Sequence, residues 1–178
     1  MRATIFLLLV LLAIDATAAL PVTLYVSLGE KIMEAHQGEA VVGTYVISPG
    51  LPKHPTPKGD FLIRRLVWNP RWVPPDETWA KGKSAREPGD PKNPMKVVKI
   101  FFQEPDYYIH GTADEHLLGD PASHGCIRVS ANDAYMLARM IMTSGGVQKS
   151  ESWYQSVING RRSTTVRLLR PVRIKIGG

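Results

Sequence analysis

The apolar positions of this chain recur mostly at every second residue and only twice at helical spacing. Residues 20–28 (LPVTLYVSL) place Val22, Leu24 and Val26 in strict alternation, the pattern of a half-buried strand. Residues 31–35 and 39–48 follow, the latter (EAVVGTYVIS) rich in β-branched residues, with Gln37-Gly38 as the hairpin turn between them. Residues 61–68, 95–103 and 107–110 read as three more strands, the last two joined by a turn at Glu104-Pro105-Asp106. A short apolar stretch at 126–129 and a long alternation at 164–176, broken or bulged at Pro171, complete the strands.

The two helical stretches are short. Residues 131–143 set Ala134, Leu137, Ala138 and Ile141 on one face, with Ser130 as N-cap and Gly145-Gly146 as the stop. Residues 151–159 form the second, closed by Gly160. Between strands lie two proline-dense loops, 49–57 and 69–94. The second holds six of the 14 prolines and two of the four tryptophans, and is too long for a simple connection. It reads as a flap in which Trp72 and Trp79 pack the loop down or line a groove. Seven to nine short strands with two short helices make a mainly β domain, a sandwich or barrel.

Residues 1–18 add a leader to this picture. Arg2 precedes an unbroken run of ten apolar residues, Ile5 to Ile14, and Ala16-Thr17-Ala18 is a small-x-small cleavage site, as in a secretory signal peptide cut after Ala18. Ten residues are too few to span a bilayer, which takes about 20. The remaining 19–178 suit one domain, exported and without an integral span. The net charge of +6 favours an anionic polymer or serves ordinary solubility. The 22 lysines and arginines are spread out, and no nucleic-acid-binding motif accompanies them.

Export gives weight to the single cysteine, because an idle thiol is a liability in an oxidising compartment. Cys126 becomes a nucleophile if an imidazole holds or takes its proton. His110, at a strand end sixteen residues earlier, can be that base. Its second ring nitrogen needs an acceptor, and the Gly111 carbonyl can serve. Gly125 permits a tight turn and lets a substrate carbonyl approach the amides of Gly125 and Cys126, an oxyanion site worth about 3–4 kcal/mol per donor. Arg128 falls on the same side of the strand as Cys126, where it binds a substrate carboxylate or braces the loop. The other histidines are read as surface residues (His36, His54) or as a solvated loop residue (His116). The set His110, His116, Asp120, His124 and Cys126 matches no common zinc spacing, so neither metal nor other cofactor is expected.

The string Ser123-His124-Gly125-Cys126-Ile127-Arg128, preceded by His110-Gly111-Thr112 and Leu118-Gly119, resembles the catalytic domain of the L,D-transpeptidases, the YkuD-type cell-wall enzymes. Upstream, Thr56-Pro57-Lys58-Gly59-Asp60-Phe61 is similar to the family's TPxGxF element. The resemblance implies a YkuD-like β-sandwich or barrel and a cysteine acyltransferase. It implies that Cys126 attacks a peptidoglycan stem tetrapeptide, releases D-alanine and passes the acyl group to an amine, giving a 3→3 crosslink. Ser123, His124 and Arg128 would shape the pocket. The implied partners are stem peptides, with a wall-attached lipoprotein lysine among possible acceptors, and the implied place is the periplasm or cell wall. Two alternatives stand beside this reading. One is an L,D-carboxypeptidase or wall amidase of the same fold, and the other is a non-catalytic wall-binding module.

Overall fold

The computed structural model describes residues 20–178, so the leader read at 1–18 lies outside the described residues. Eight strands form one sheet in the order β3-β2-β1-β8-β4-β5-β6-β7. β1 (Val22–Ser27), β2 (Ile32–Gln37) and β3 (Ala40–Val46) are the expected opening meander, turning at Gly38-Glu39. β4 (Gly59–Trp68), β5 (Lys96–Gln103) and β6 (Tyr107–Thr112) are antiparallel neighbours. Two pairings are parallel: β7 (Ile127–Ser130) on β6, and β8 (Thr164–Gly177) on β1.

The disruption expected at Pro171 is a bulge with a function. Along β4 the register jumps from Ile63↔Val172 to Arg65↔Arg167, so residues 168–171 leave that ladder. The amides of Leu169 and Arg170 donate instead to the Gly145 carbonyl, at 2.9 and 3.0 Å, and tie β8 to the end of the first helix. At the sheet's two ends, Ser48 exchanges a pair of 2.9 Å backbone hydrogen bonds with Arg128. The segment after β3 therefore meets β7, and the sheet curls into a nearly closed barrel, the mainly β architecture that the alternation predicts.

The interior face of the sheet carries Leu24, Met33, Ile63, Leu66, Ile100, Ile109 and Ile127, all fully buried. Helix α1 (Ala131–Ser144) covers it with Ala134, Leu137, Ala138 and Ile141, the face read from the sequence. Ser130 caps α1 by accepting the Asp133 amide at 2.9 Å. Helix α2 (Glu151–Ile158) is held through Trp68, whose ring lies 5.3 Å from Tyr154 and 6.2 Å from Trp153. An exposed pair, Arg139–Glu151 at 2.6 Å, also joins the two helices. No described helix is long and apolar enough to cross a membrane.

Leu137 is fully buried where α1 meets the sheet. Leu137→Ala is expected to destabilise the fold by about 2–5 kcal/mol, read as a lower denaturant midpoint at unchanged slope.

Candidate active site

The site is built on the parallel pairing of β6 with β7. Register partners are Ile109↔Ile127 and His110↔Arg128, so one step back Tyr108 stands beside Cys126. Partners share a face, and side chains alternate along each strand. Ile109 and Ile127 therefore point into the core, while Tyr108, His110, Cys126 and Arg128 share the opposite face. β5 adds to that face, with Lys99 opposite His110 and Phe101 opposite Tyr108. Tyr108, His110, Cys126, Arg128 and Lys99 all line one cavity of about 360 Å³.

The loop carrying Cys126 is held by backbone bonds to residues 47–51. Gly119 donates to Ile47, Ala122 and Ser123 donate to Pro49, and Leu51 donates to Ser123. Ser123 is buried, and its hydroxyl accepts the Gly125 amide at 3.1 Å while donating to the Cys126 carbonyl. Gly125 has φ +104°, and a Cβ there would lie 2.6 Å from the Tyr107 ring. Only glycine fits that position. The expectation that the Gly125 amide faces an oxyanion needs correction, because that N–H is engaged by Ser123. The Cys126 amide is what remains of the two.

His110 is almost wholly buried, and its Nδ1 lies 2.9 Å from the Gly111 carbonyl. A carbonyl only accepts, so Nδ1 carries the proton and Nε2 is left as the basic nitrogen. Burial lowers the His110 pKa to about 3; the Gly111 hydrogen bond opposes this, and the Arg128 and Lys99 charges reinforce it. The Cys126 thiol donates to the Asp106 carbonyl at 3.4 Å. Burial pushes its pKa up, against hydrogen bonds from the Tyr108 amide and phenol and the charges of Lys99 and Arg128, all of which favour the thiolate. A thiol raised and an imidazole lowered mean a pair that rests neutral.

The flap forms the cavity's other wall. Trp72 and Arg86 exchange backbone bonds at 2.8 and 2.9 Å, and Trp72 is buried, so this tryptophan packs the loop down. Both tryptophans line the cavity, and the Trp79 ring stacks on His124 at 3.9 Å and 14°. Trp79 Nε1 donates to Glu77 at 2.7 Å. His54, expected at the surface, packs its ring 4.7 Å from His124, a correction that comes from the folding back of the 49–57 loop. His36 pairs with Glu34 at 2.8 Å on β2, and His116 is exposed in a single 3-10 turn. The structure thus brings together His110, Gly111, Ser123, His124, Gly125, Cys126 and Arg128. Sequence reasoning missed Lys99 and Tyr108. Tyr108 was within reach of the alternation argument, two residues before His110 on one strand; Lys99 was not, because its place depends on a bulge.

Among the described residues, no group of three or more His, Cys, Asp or Glu is placed to hold a metal ion. Residues 21–167 match the family model described as the L,D-transpeptidase catalytic domain. The chain belongs to the L,D-transpeptidase catalytic-domain family. A Bacillus licheniformis protein provisionally named L,D-transpeptidase YkuD is 26% identical over 122 residues, covering 68% of this chain and 61% of that protein. A Bacillus subtilis protein provisionally named L,D-transpeptidase YqjB is 30% identical over 106 residues, 57% of this chain and 55% of that one. The chain therefore spans about three fifths of the length of the curated relatives it matches. Among solved structures, an L,D-transpeptidase from Xylanimonas cellulosilytica superposes with TM-score 0.54 at 19% identity, covering 90% of this chain and 62% of that one. One from Mycobacterium smegmatis gives 0.53 at 16%, covering 87% and 58%. These likenesses show a shared fold.

The buried, neutral His110 makes stability depend on acid. Its folded pKa lies below its unfolded value, so the unfolded chain binds the extra proton first as pH falls. The neutral form's contribution is complete above the ordinary imidazole pKa of about 6.5 and is lost between there and about 3, by up to roughly 1.4 kcal/mol per pH unit. Denaturant unfolding from pH 7 to pH 4 is expected to show this slope, and His110→Gln should flatten it.

Proposed function

We propose that the chain is an exported peptidoglycan L,D-transpeptidase in which Cys126 is the nucleophile and His110 its base. The observation that carries the reading is the shared face of β6 and β7. A thiol and an imidazole with a free Nε2 line one cavity there, and the imidazole is oriented from behind by the Gly111 carbonyl. Membership of the family and the apolar leader support the reaction and the export, respectively.

In this mechanism Cys126 Sγ attacks the carbonyl that follows the L-centre of diaminopimelate in a stem tetrapeptide. The thiol proton passes to His110 Nε2 as the S–C bond forms. The Cys126 amide stabilises the oxyanion, while Ser123 holds the turn that aims it. Collapse breaks the bond to the terminal D-alanine, whose amine leaves with the proton from His110. The thioester then meets an acceptor amine from a second stem or a lipoprotein lysine. His110 takes the amine's proton and returns it to the departing sulfur. Negative charge on that sulfur is favoured throughout by the neighbouring Tyr108. His124 and Arg128 wall the cavity. The product remains in the periplasm or cell wall.

Purified protein given disaccharide-tetrapeptide is expected to yield D-alanine and a 3→3 dimer. Cys126→Ala should yield neither, and His110→Ala should lower kcat about 10²- to 10⁴-fold. Tripeptide and D-alanine without any aminolysis product would replace the transferase with a carboxypeptidase. Full activity in Cys126→Ala would overturn the reading.

A further inference from the structure

Lys99 lines the cavity beside Cys126 and is absent from the motif that marks the family resemblance. A backbone irregularity puts it there. Lys96 pairs with Gly111, yet the next β5 residue in register, opposite His110, is Lys99, so two extra residues stand in β5. Val97, within this bulge, adopts φ +65°, a strained conformation for a β-branched residue. Without the insertion Val97 would stand opposite His110. The bulge therefore places an ammonium in the cross-strand row Lys99–His110–Arg128. The Lys99 Nζ lies 4.6 Å above the Tyr108 ring. Among the described residues, neither the Lys99 nor the Arg128 side chain has an ion-pair partner. The nearby Arg65 does, binding Glu104 through two hydrogen bonds of 2.9 and 3.0 Å.

We propose that Lys99 and Arg128 form a two-cation seat, one on each side of His110, for a carboxylate of the donor peptide beside the scissile bond. The proposal rests on the transpeptidase reading and gives its donor a point of recognition. Two half-buried cations that line one cavity and pair with neither of its acidic residues, Glu77 and Asp106, are poorly solvated, and a carboxylate is the ligand that offsets this. Burial already disfavours the Lys99 ammonium.

The seat also bears on the base. The charged and titratable groups around His110 are Lys99 from β5, Tyr108 from β6, Cys126 just before β7 and Arg128 from β7. Glu77 and Asp106 lie at the cavity's edge, and α1 packs on the opposite face of the sheet. The two cations oppose a third positive charge on the imidazole. A seated carboxylate cancels that opposition, so His110 becomes a better proton acceptor when the donor arrives.

Binding is tested in Cys126→Ala, where turnover cannot interfere. The probes are a stem tetrapeptide with free carboxylates and its two mono-amidated forms, blocked at the terminal D-alanine or at the diaminopimelate side-chain carboxyl. One amidated form is expected to bind roughly 10- to 100-fold more weakly, and it identifies which carboxylate is seated. Adding Lys99→Met should cost the same factor with the free peptide and nothing further with that amidated form, while Lys99→Arg retains most of the affinity. Lys99→Gln serves as a second neutral variant should the first fail to fold. Equal losses on all three peptides, or no loss in either neutral variant, would overturn the seat. Acylation of the unsubstituted protein by the same peptides is read alongside. Lys99-dependent preference without acylation keeps the seat and removes the proposed reaction; acylation without preference does the reverse.

Discussion

The pairing of β6 with β7 is the constraint on which the site depends. Parallel neighbours must be joined by a crossover that leaves the end of one strand and returns to the opposite end of the sheet to begin the next. Here that connection runs from Ala113 to Cys126. It holds its course because residues 47–51 supply backbone partners along it, and because Ser48 brackets Arg128 from the other side. The contact that closes the barrel is thus the contact that fixes Cys126. Closure and catalytic geometry are coupled, and a change that loosens the Ser48–Arg128 bridge moves both.

The electrostatics follow from that geometry. The face that carries His110 and Cys126 looks away from the α1-packed core yet is covered by the flap, so its groups are desolvated without being apolar. Burial alone drives the imidazole and thiol toward their neutral forms. Lys99 and Arg128 favour the thiolate and oppose the imidazolium, while Tyr108 favours the thiolate. The site is therefore poised for proton transfer during attack. On the proposed reading, a substrate carboxylate between Lys99 and Arg128 offsets their opposition to the imidazolium.

Much of the fold was legible because alternation and helical spacing are local. The apolar face of α1, the Ser130 cap, the disruption near Pro171 and nearly every strand follow from residue order. Parallel pairing and bulges are not local. Lys99 stands beside His110 only because two residues slip in β5, and nothing in MKVVKIFFQ announces that slip. His54 looked solvated because a proline-rich loop conceals where it folds. The site motif itself was legible as His110, Ser123, His124, Gly125, Cys126 and Arg128, as was Gly111 as the acceptor behind the imidazole. The engagement of the Gly125 amide by Ser123 was not, because a hydroxyl two residues away can turn in or out.

The central claim is that Cys126 carries the acyl group. Donor tetrapeptide mixed with the protein without an amine acceptor, quenched in acid within seconds and digested, gives the direct reading by mass spectrometry. The account predicts a tripeptide acyl mass, equal to the donor less D-alanine, on the peptide containing Cys126, discharged by hydroxylamine or an added amine. D-alanine release with Cys126 unmodified at every quench time, or an acyl mass on another residue, would contradict it.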